Sequence, residues 1–124
     1  MKSKNRILGA VIALPLALTI SACSLGFNKF EKAQETCGET SGIALSDGGT
    51  TLTIDTMGEE DWSGASYSDM NCILNALEVP QYIREEISNT NSLMGRQTAE
   101  YEGIKLSWSY HPDRGADMIL HYGD

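Results

Sequence analysis

Between Gln97 and Tyr122 the sequence alternates so regularly that only β-strands fit it. Ile104, Leu106, Trp108 and Tyr110 alternate with Lys105, Ser107 and Ser109. Successive side chains on a strand point to opposite faces, so this is a strand with one dry and one wet face. Met118, Leu120 and Tyr122 repeat the pattern, and Gln97 to Tyr122 reads as three strands. Glu102-Gly103 is the first turn and "YHPDRGAD" holds the second. For the apolar sets to share a face, Tyr110 is expected opposite Met118, and Trp108 opposite Leu120. A three-residue loop, Asp113-Arg114-Gly115, delivers that register with Gly115 in the left-handed conformation. A four-residue loop would turn Asp117 onto the apolar face. The expected register sets His111 opposite Asp117 and His121 opposite Ser107.

Ser41 to Thr56 reads as a hairpin. Ile43 and Leu45 alternate before Asp47-Gly48-Gly49, and Leu52 and Ile54 after it. Glycine accepts positive φ without steric cost, which makes this a strong turn. Met57 to Ala65, with Glu59, Glu60, Asp61 and Trp62, reads as a loop. Ser66 to Leu77 is the best helix. Ser66 and Asp69 stand in capping-box register, and Met70, Ile73, Leu74 and Leu77 form one apolar stripe. Pro80 to about Ser88 is a second helix, burying Val79, Ile83 and Ile87. The fold expected is therefore α+β: an antiparallel sheet made of a hairpin and a three-stranded meander, with two helices packed on one face.

The start of the chain has a different character. Lys2, Lys4 and Arg6 precede an uncharged run from Ile7 to Ile20. As a helix that run would cover about 21 Å, short of the ~30 Å hydrocarbon core of a bilayer, and it suits a signal segment better than a span. It ends in Ile20-Ser21-Ala22-Cys23, which resembles the lipobox of bacterial lipoproteins. The resemblance implies lipid transfer to the Cys23 sulfur and cleavage after Ala22. Residues 1–22 are then a lipoprotein signal peptide, 23–36 a lipidated tether and 37–124 one small α+β domain. The address implied is the outer face of the cell membrane. Two or more acyl chains hold firmly where one holds only marginally. A tether of 13 residues from Ser24 reaches at most about 45 Å. Phe27 and Phe30, the only phenylalanines, are candidates to dip into the lipid interface.

Three cysteines is an odd number for an exported chain. With Cys23 assigned to lipid, Cys37 and Cys72 remain, and an extracytoplasmic setting permits a disulfide between them. The competing reading is two buried thiols. Cys72 points away from the apolar stripe of its helix, so a bond to Cys37 would strap the start of the domain across the helix back. The chain after Ala22 has six basic and 17 acidic residues, a formal charge of −11. Such a surface is repelled by nucleic acid, which is excluded as a partner.

Cys37, the Asp47-Gly48-Gly49 turn, "NCILNALEVP", "GRQTAEYEG" and "SWSYHPDRGADMIL" together resemble small predicted lipoproteins of actinobacteria. The resemblance covers residues 37 to 122 and implies no activity.

Catalytic or metal chemistry has one place to reside, the "YHPDRGAD" turn, with His111, Asp113 and Asp117. His121 lies about 13 Å along the strand from Asp117, so both histidines cannot ligate one zinc. An exposed turn with a cross-strand ion pair is the structural alternative, worth about 0.2–1 kcal/mol. No Gly-x-Ser-x-Gly elbow, phosphate loop or Cys-x-x-Cys pair occurs. Glu59-Glu60-Asp61 lacks the spaced oxygens of a calcium loop. Trp62 could stack on a sugar, whereas Trp108 belongs to the core stripe. The reading that follows is a non-enzymatic, lipid-anchored interaction module with a protein partner at the cell surface and no cofactor or metal. Its rivals are an accessory or regulatory subunit of an envelope membrane protein, and a small envelope metal-dependent enzyme using the His-Pro-Asp turn.

Overall fold

The computed structural model describes residues 28–123. Cys23, the expected signal segment and Phe27 lie outside the described residues. The chain order is helix α1 (Asn28–Cys37), strand β1 (Ile43–Ser46), a short turn at Asp47–Gly49 and β2 (Thr51–Asp55). Helices α2 (Tyr67–Ala76) and α3 (Gln81–Ser88) follow, then β3 (Gln97–Tyr101), β4 (Ile104–His111) and β5 (Gly115–Tyr122). The fold is α+β, as the alternation and helical stripes predict.

The hairpin and the meander form one antiparallel sheet, as expected, and the structure supplies its strand order. Its order is β1-β2-β5-β4-β3, antiparallel throughout. The joint is β2 against β5, with Leu52 opposite Leu120 and Ile54 opposite Met118. No local pattern specifies this long-range pairing. It is driven by burial, because it merges the apolar rows of the hairpin and the meander. Leu52, Ile54, Ile104, Leu106, Trp108, Met118 and Leu120 are all buried in one cluster.

Three helices, not two, contribute to that cluster. Asn28–Cys37 is helical where a tether is expected, and Phe30 and Ala33 on it are buried. The expected 23–36 tether is thus corrected from Asn28 onward. Phe30, 1% exposed, sits with its ring edge-on to Tyr122 at 6.0 Å rather than facing lipid. Burying a phenylalanine stabilises by about 1.5–3 kcal/mol, enough to draw this segment onto the body. The signal was weak because only Phe30 and Ala33 of the helix are fully buried among polar neighbours.

Local expectations at α2 hold. The Ser66 hydroxyl accepts from the Asp69 backbone N–H at 3.0 Å, and the Asp69 carboxylate accepts from the Ser66 N–H at 3.1 Å. Met70, Ile73, Leu74 and Leu77 are buried. The carbonyl of Leu77, past the helix end, accepts from the Tyr101 hydroxyl at 2.9 Å. Burial first, then Glu102, Glu78 and Tyr122, pushes that hydroxyl up to about 12. It stays a donor at any ordinary pH. Trp108 donates its indole N–H to Thr90, and Thr90 donates to the Glu86 carbonyl, so the largest core side chain leaves no polar atom unpaired.

The β4–β5 register differs from the expected one by two residues. Trp108 faces Met118, Tyr110 faces Ala116 and His111 faces Gly115, across a loop of Pro112-Asp113-Arg114. A slip of two keeps every apolar residue on its own face, so alternation alone cannot distinguish the two registers. Gly115 decides it. Its φ is +86°, and a Cβ there would lie 2.5 Å from the Thr56 and Met57 carbonyl oxygens. Only a glycine allows β5 to start so close to the end of β2. His111 therefore does not pair with Asp117, and His121 pairs with Lys105 and Thr51 rather than Ser107.

Cys37 and Cys72 are disulfide-bonded and 35 residues apart. The bond ties the last residue of α1 to the outward side of α2. Closing a loop of this length stabilises by about 4 kcal/mol in the chain-entropy account. Cys37→Ser and Cys72→Ser should lower the thermal midpoint equally, and reduction of the parent should match both. Two free thiols at Cys37 and Cys72 in the denatured, unreduced protein would contradict the bond.

Candidate functional site

The face of the sheet opposite the helices carries three cross-strand rows, and no helix of the described residues covers it. Thr51, His121, Lys105 and Glu100 form one row, and Thr53, Ile119, Ser107 and Thr98 a second. The third sets Asp55 beside Asp117 and Asp117 beside Ser109. At its end Arg96 reaches over the strands. Its guanidinium donates to Ser107 and Ser109 and lies 3.4 Å from the Asp117 carboxylate.

This third row opens into a cleft of about 580 Å³ at the end of the sheet. Three loops wall it: Met57 to Gly64, Asn91 to Arg96, and the His111 to Gly115 turn. The first is docked on the third by backbone bonds. Glu59 donates to the Pro112 carbonyl at 2.9 Å and Glu60 to the Asp113 carbonyl at 3.0 Å. Asp55, Asp61, Asp117, His111 and Arg114 supply its charged and titratable lining. On two of these loops, Trp62 (87% exposed) and Leu93 (94%), next in sequence to the lining residues Asp61 and Ser92, are almost wholly solvated.

The candidate residues His111, Asp113 and Asp117 share this neighbourhood but do not converge. Asp117 belongs to Arg96. His111 Nδ1 accepts from the Asp113 backbone N–H at 3.1 Å and lies 4.0 Å from the Asp113 carboxylate. The two contacts exclude one another, since the first needs a bare Nδ1 and the second a protonated ring. The shorter one governs the resting geometry. In that geometry the neutral ring carries its proton on Nε2, leaving that nitrogen a donor. Among the described residues, no group of three His, Cys, Asp or Glu side chains is disposed to hold a metal ion.

His121 is held in the opposite tautomer. Thr51 donates its hydroxyl proton to the Asp47 carboxylate at 2.8 Å. The hydroxyl can then only accept from His121, 2.8 Å away, so Nδ1 carries the proton. His121 lies directly opposite Lys105, which is six residues, or about 20 Å, along β4 from His111. The two histidines occupy opposite ends of the sheet.

Asp55 is the member of the cleft that sequence reading missed. Nothing local marks it, because its neighbour Asp117 is 62 residues away in the chain. Partial withdrawal from water, then repulsion from Asp117 and from Asp61, raises its pKa above the ordinary carboxylate value.

Against protein-family models, curated proteins and solved structures, the chain matches none. No helix of the described residues is long and apolar enough to cross a membrane.

Two expectations follow from the geometry. Asp55 has a raised folded pKa, so the folded state holds more protons than the unfolded one, and stability falls as pH rises through the carboxylate range. Asp55→Asn should therefore raise stability at neutral pH by about 0.2–1 kcal/mol, with no gain once the carboxyl is protonated in both states. Denaturant titrations at several pH values would show it. For the turn, Gly115→Val should cost at least about 2 kcal/mol through strain and overlap. His111→Ala should cost under about 1 kcal/mol. A tight stoichiometric zinc or calcium signal in calorimetry, lost with His111→Ala, would overturn this structural account of the turn.

Proposed function

We propose that the chain is a lipid-anchored, extracytoplasmic interaction module without catalytic activity. It is held at the outer face of the cell membrane through Cys23 and engages a protein partner with the cleft at the end of its sheet. The anchoring half rests on the ordered basic, apolar and Ile20-Ser21-Ala22-Cys23 segments. The Cys37–Cys72 disulfide is in keeping with an oxidising compartment.

The observation that carries the binding half is the composition of the rim. A chain that buries Trp108 and Phe30 at 1% exposure leaves Trp62 and Leu93 projecting beside a polar floor. Large apolar side chains around charged groups form the pattern of a protein-binding surface. The carboxylates of Asp55, Asp61 and Asp117 suit a partner segment that presents basic side chains between apolar ones. Arg96, paired with Asp117, and Arg114 disfavour cations beside them and so favour one orientation of that segment.

Cys23→Ala should release the protein or leave it as uncleaved precursor, and mass spectrometry of the membrane fraction should find lipid on Cys23. An unmodified Cys23 on a soluble mature chain would end the anchoring half. For the binding half, Trp62→Ala with Leu93→Ser should abolish photo-crosslinks placed in the cleft at unchanged thermal midpoint. Persistence of the same crosslinked species would remove the cleft from the reading.

A further inference from the structure

We propose that the domain stands on the bilayer in one fixed orientation. The end built from the first turn of α1, the β1–β2 turn and the β3–β4 turn meets the lipid headgroups, and the cleft points away from them. This rests on anchoring through Cys23.

The position of α1 is the first reason. The chain enters the folded body at Asn28, five residues after Cys23. Five Cα steps reach at most about 18 Å. The entry point is fixed on the body at both ends of α1. At its start, Lys29 Nζ lies 3.6 Å from Glu102 Oε1 in the β3–β4 turn, and the buried Phe30 ring packs on Tyr122 at the end of β5. At its finish, Cys37 is bonded to Cys72. The β1–β2 turn lies at the same end of the sheet, because Tyr122 donates its N–H to the Thr50 carbonyl. β5 runs from the cleft to this end, and its eight residues span about 23 Å. The reach available is thus shorter than the distance that would bring the cleft to the membrane.

Charge is the second reason, and it selects standing over lying. At the α1 end, Lys29, Lys32 and Lys105 stand against Glu31, Asp47, Glu78, Glu100 and Glu102, three cations against five anions. The N-terminal end of a helix adds partial positive charge there. At the cleft end, Asp55, Glu59, Glu60, Asp61, Asp113 and Asp117 outnumber Arg96 and Arg114. An anionic headgroup layer repels the second end more strongly than the first. The short reach and this asymmetry act in the same direction.

The test uses the mature chain, with its disulfide intact, coupled through the Cys23 thiol to a maleimide-headgroup lipid. The vesicles contain phosphatidylcholine with a minority of phosphatidylglycerol and a dansyl-headgroup lipid as acceptor of tryptophan energy. The parent reports through Trp62 at the cleft end. Two variants in a Trp62→Phe background, Glu102→Trp and Ser46→Trp, report from the other end, and Trp108 supplies the same background in all three. Transfer should be several-fold greater in both variants than in the parent. Ser46→Trp keeps the Lys29–Glu102 pair, so agreement between the variants shows that losing that pair did not reorient the domain. Equal transfer in all three, or the reverse order, would overturn the proposal. Chemical coupling makes this independent of lipidation in the cell, so a missing lipid on Cys23 and a failed orientation are separate results.

Discussion

The pairing of β2 with β5 is the contact on which the rest of the molecule depends. It joins a hairpin near the start of the domain to a meander at its end. Neither piece alone offers a surface wide enough for three helices. Once Leu52 faces Leu120 and Ile54 faces Met118, the apolar rows become one continuous floor. Thr56 extends the joint beyond the last strand residue. Its hydroxyl accepts from the Ala116 N–H at 2.7 Å, and its own N–H donates to the Ala116 carbonyl at 2.9 Å. Thr56 is fully buried, so these groups have no water to fall back on. Each bond nets only about 1 kcal/mol, but losing a partner there would cost more than that.

The same pairing generates the chemistry of the outer face. Placing β2 beside β5 brings Asp55 against Asp117, two like charges that no local preference would join. Arg96 partly offsets the repulsion from the far side. Because Gly115 admits the Thr56 and Met57 carbonyls so closely, the loop after β2 lies on the His-Pro-Asp turn and the cleft gains a fixed wall. The fold tolerates an unfavourable carboxylate pair at the one end of the sheet where loops, rather than helices, surround the strands. A cationic group brought in by a partner would relieve that pair.

The two histidines show how hydrogen bonding, more than residue type, decides chemical potential. Both lie on the sheet's outer side at strand ends. A backbone N–H donates to Nδ1 of His111, whereas Nδ1–H of His121 donates to the Thr51 hydroxyl oxygen. Nε2 is a donor in the first ring and an acceptor in the second. In this geometry the residue that the motif singles out is therefore the one less suited to bind a metal or accept a proton.

Legibility followed the range of the interaction. The hairpin turn, the capping box of Ser66 and Asp69, the stripe of α2 and the alternation of β4 are set by residues within a few positions of one another, and these were readable in order. The burial of Trp108 and the Cys37–Cys72 bond were also within reach, one from periodicity and the other from counting. The pairing of β2 with β5 that sets the strand order, the burial of Phe30, the two-residue shift at His111 and the meeting of Asp55 with Asp117 were not. Each depends on which distant surfaces bury the most apolar area together, and on whether a Cβ fits where two backbones cross. Sequence by itself determined which residues belong on the dry side of each element. Only the tertiary structure decided which elements share that dry side, because shape and packing between segments far apart in the chain leave no periodic trace in either segment.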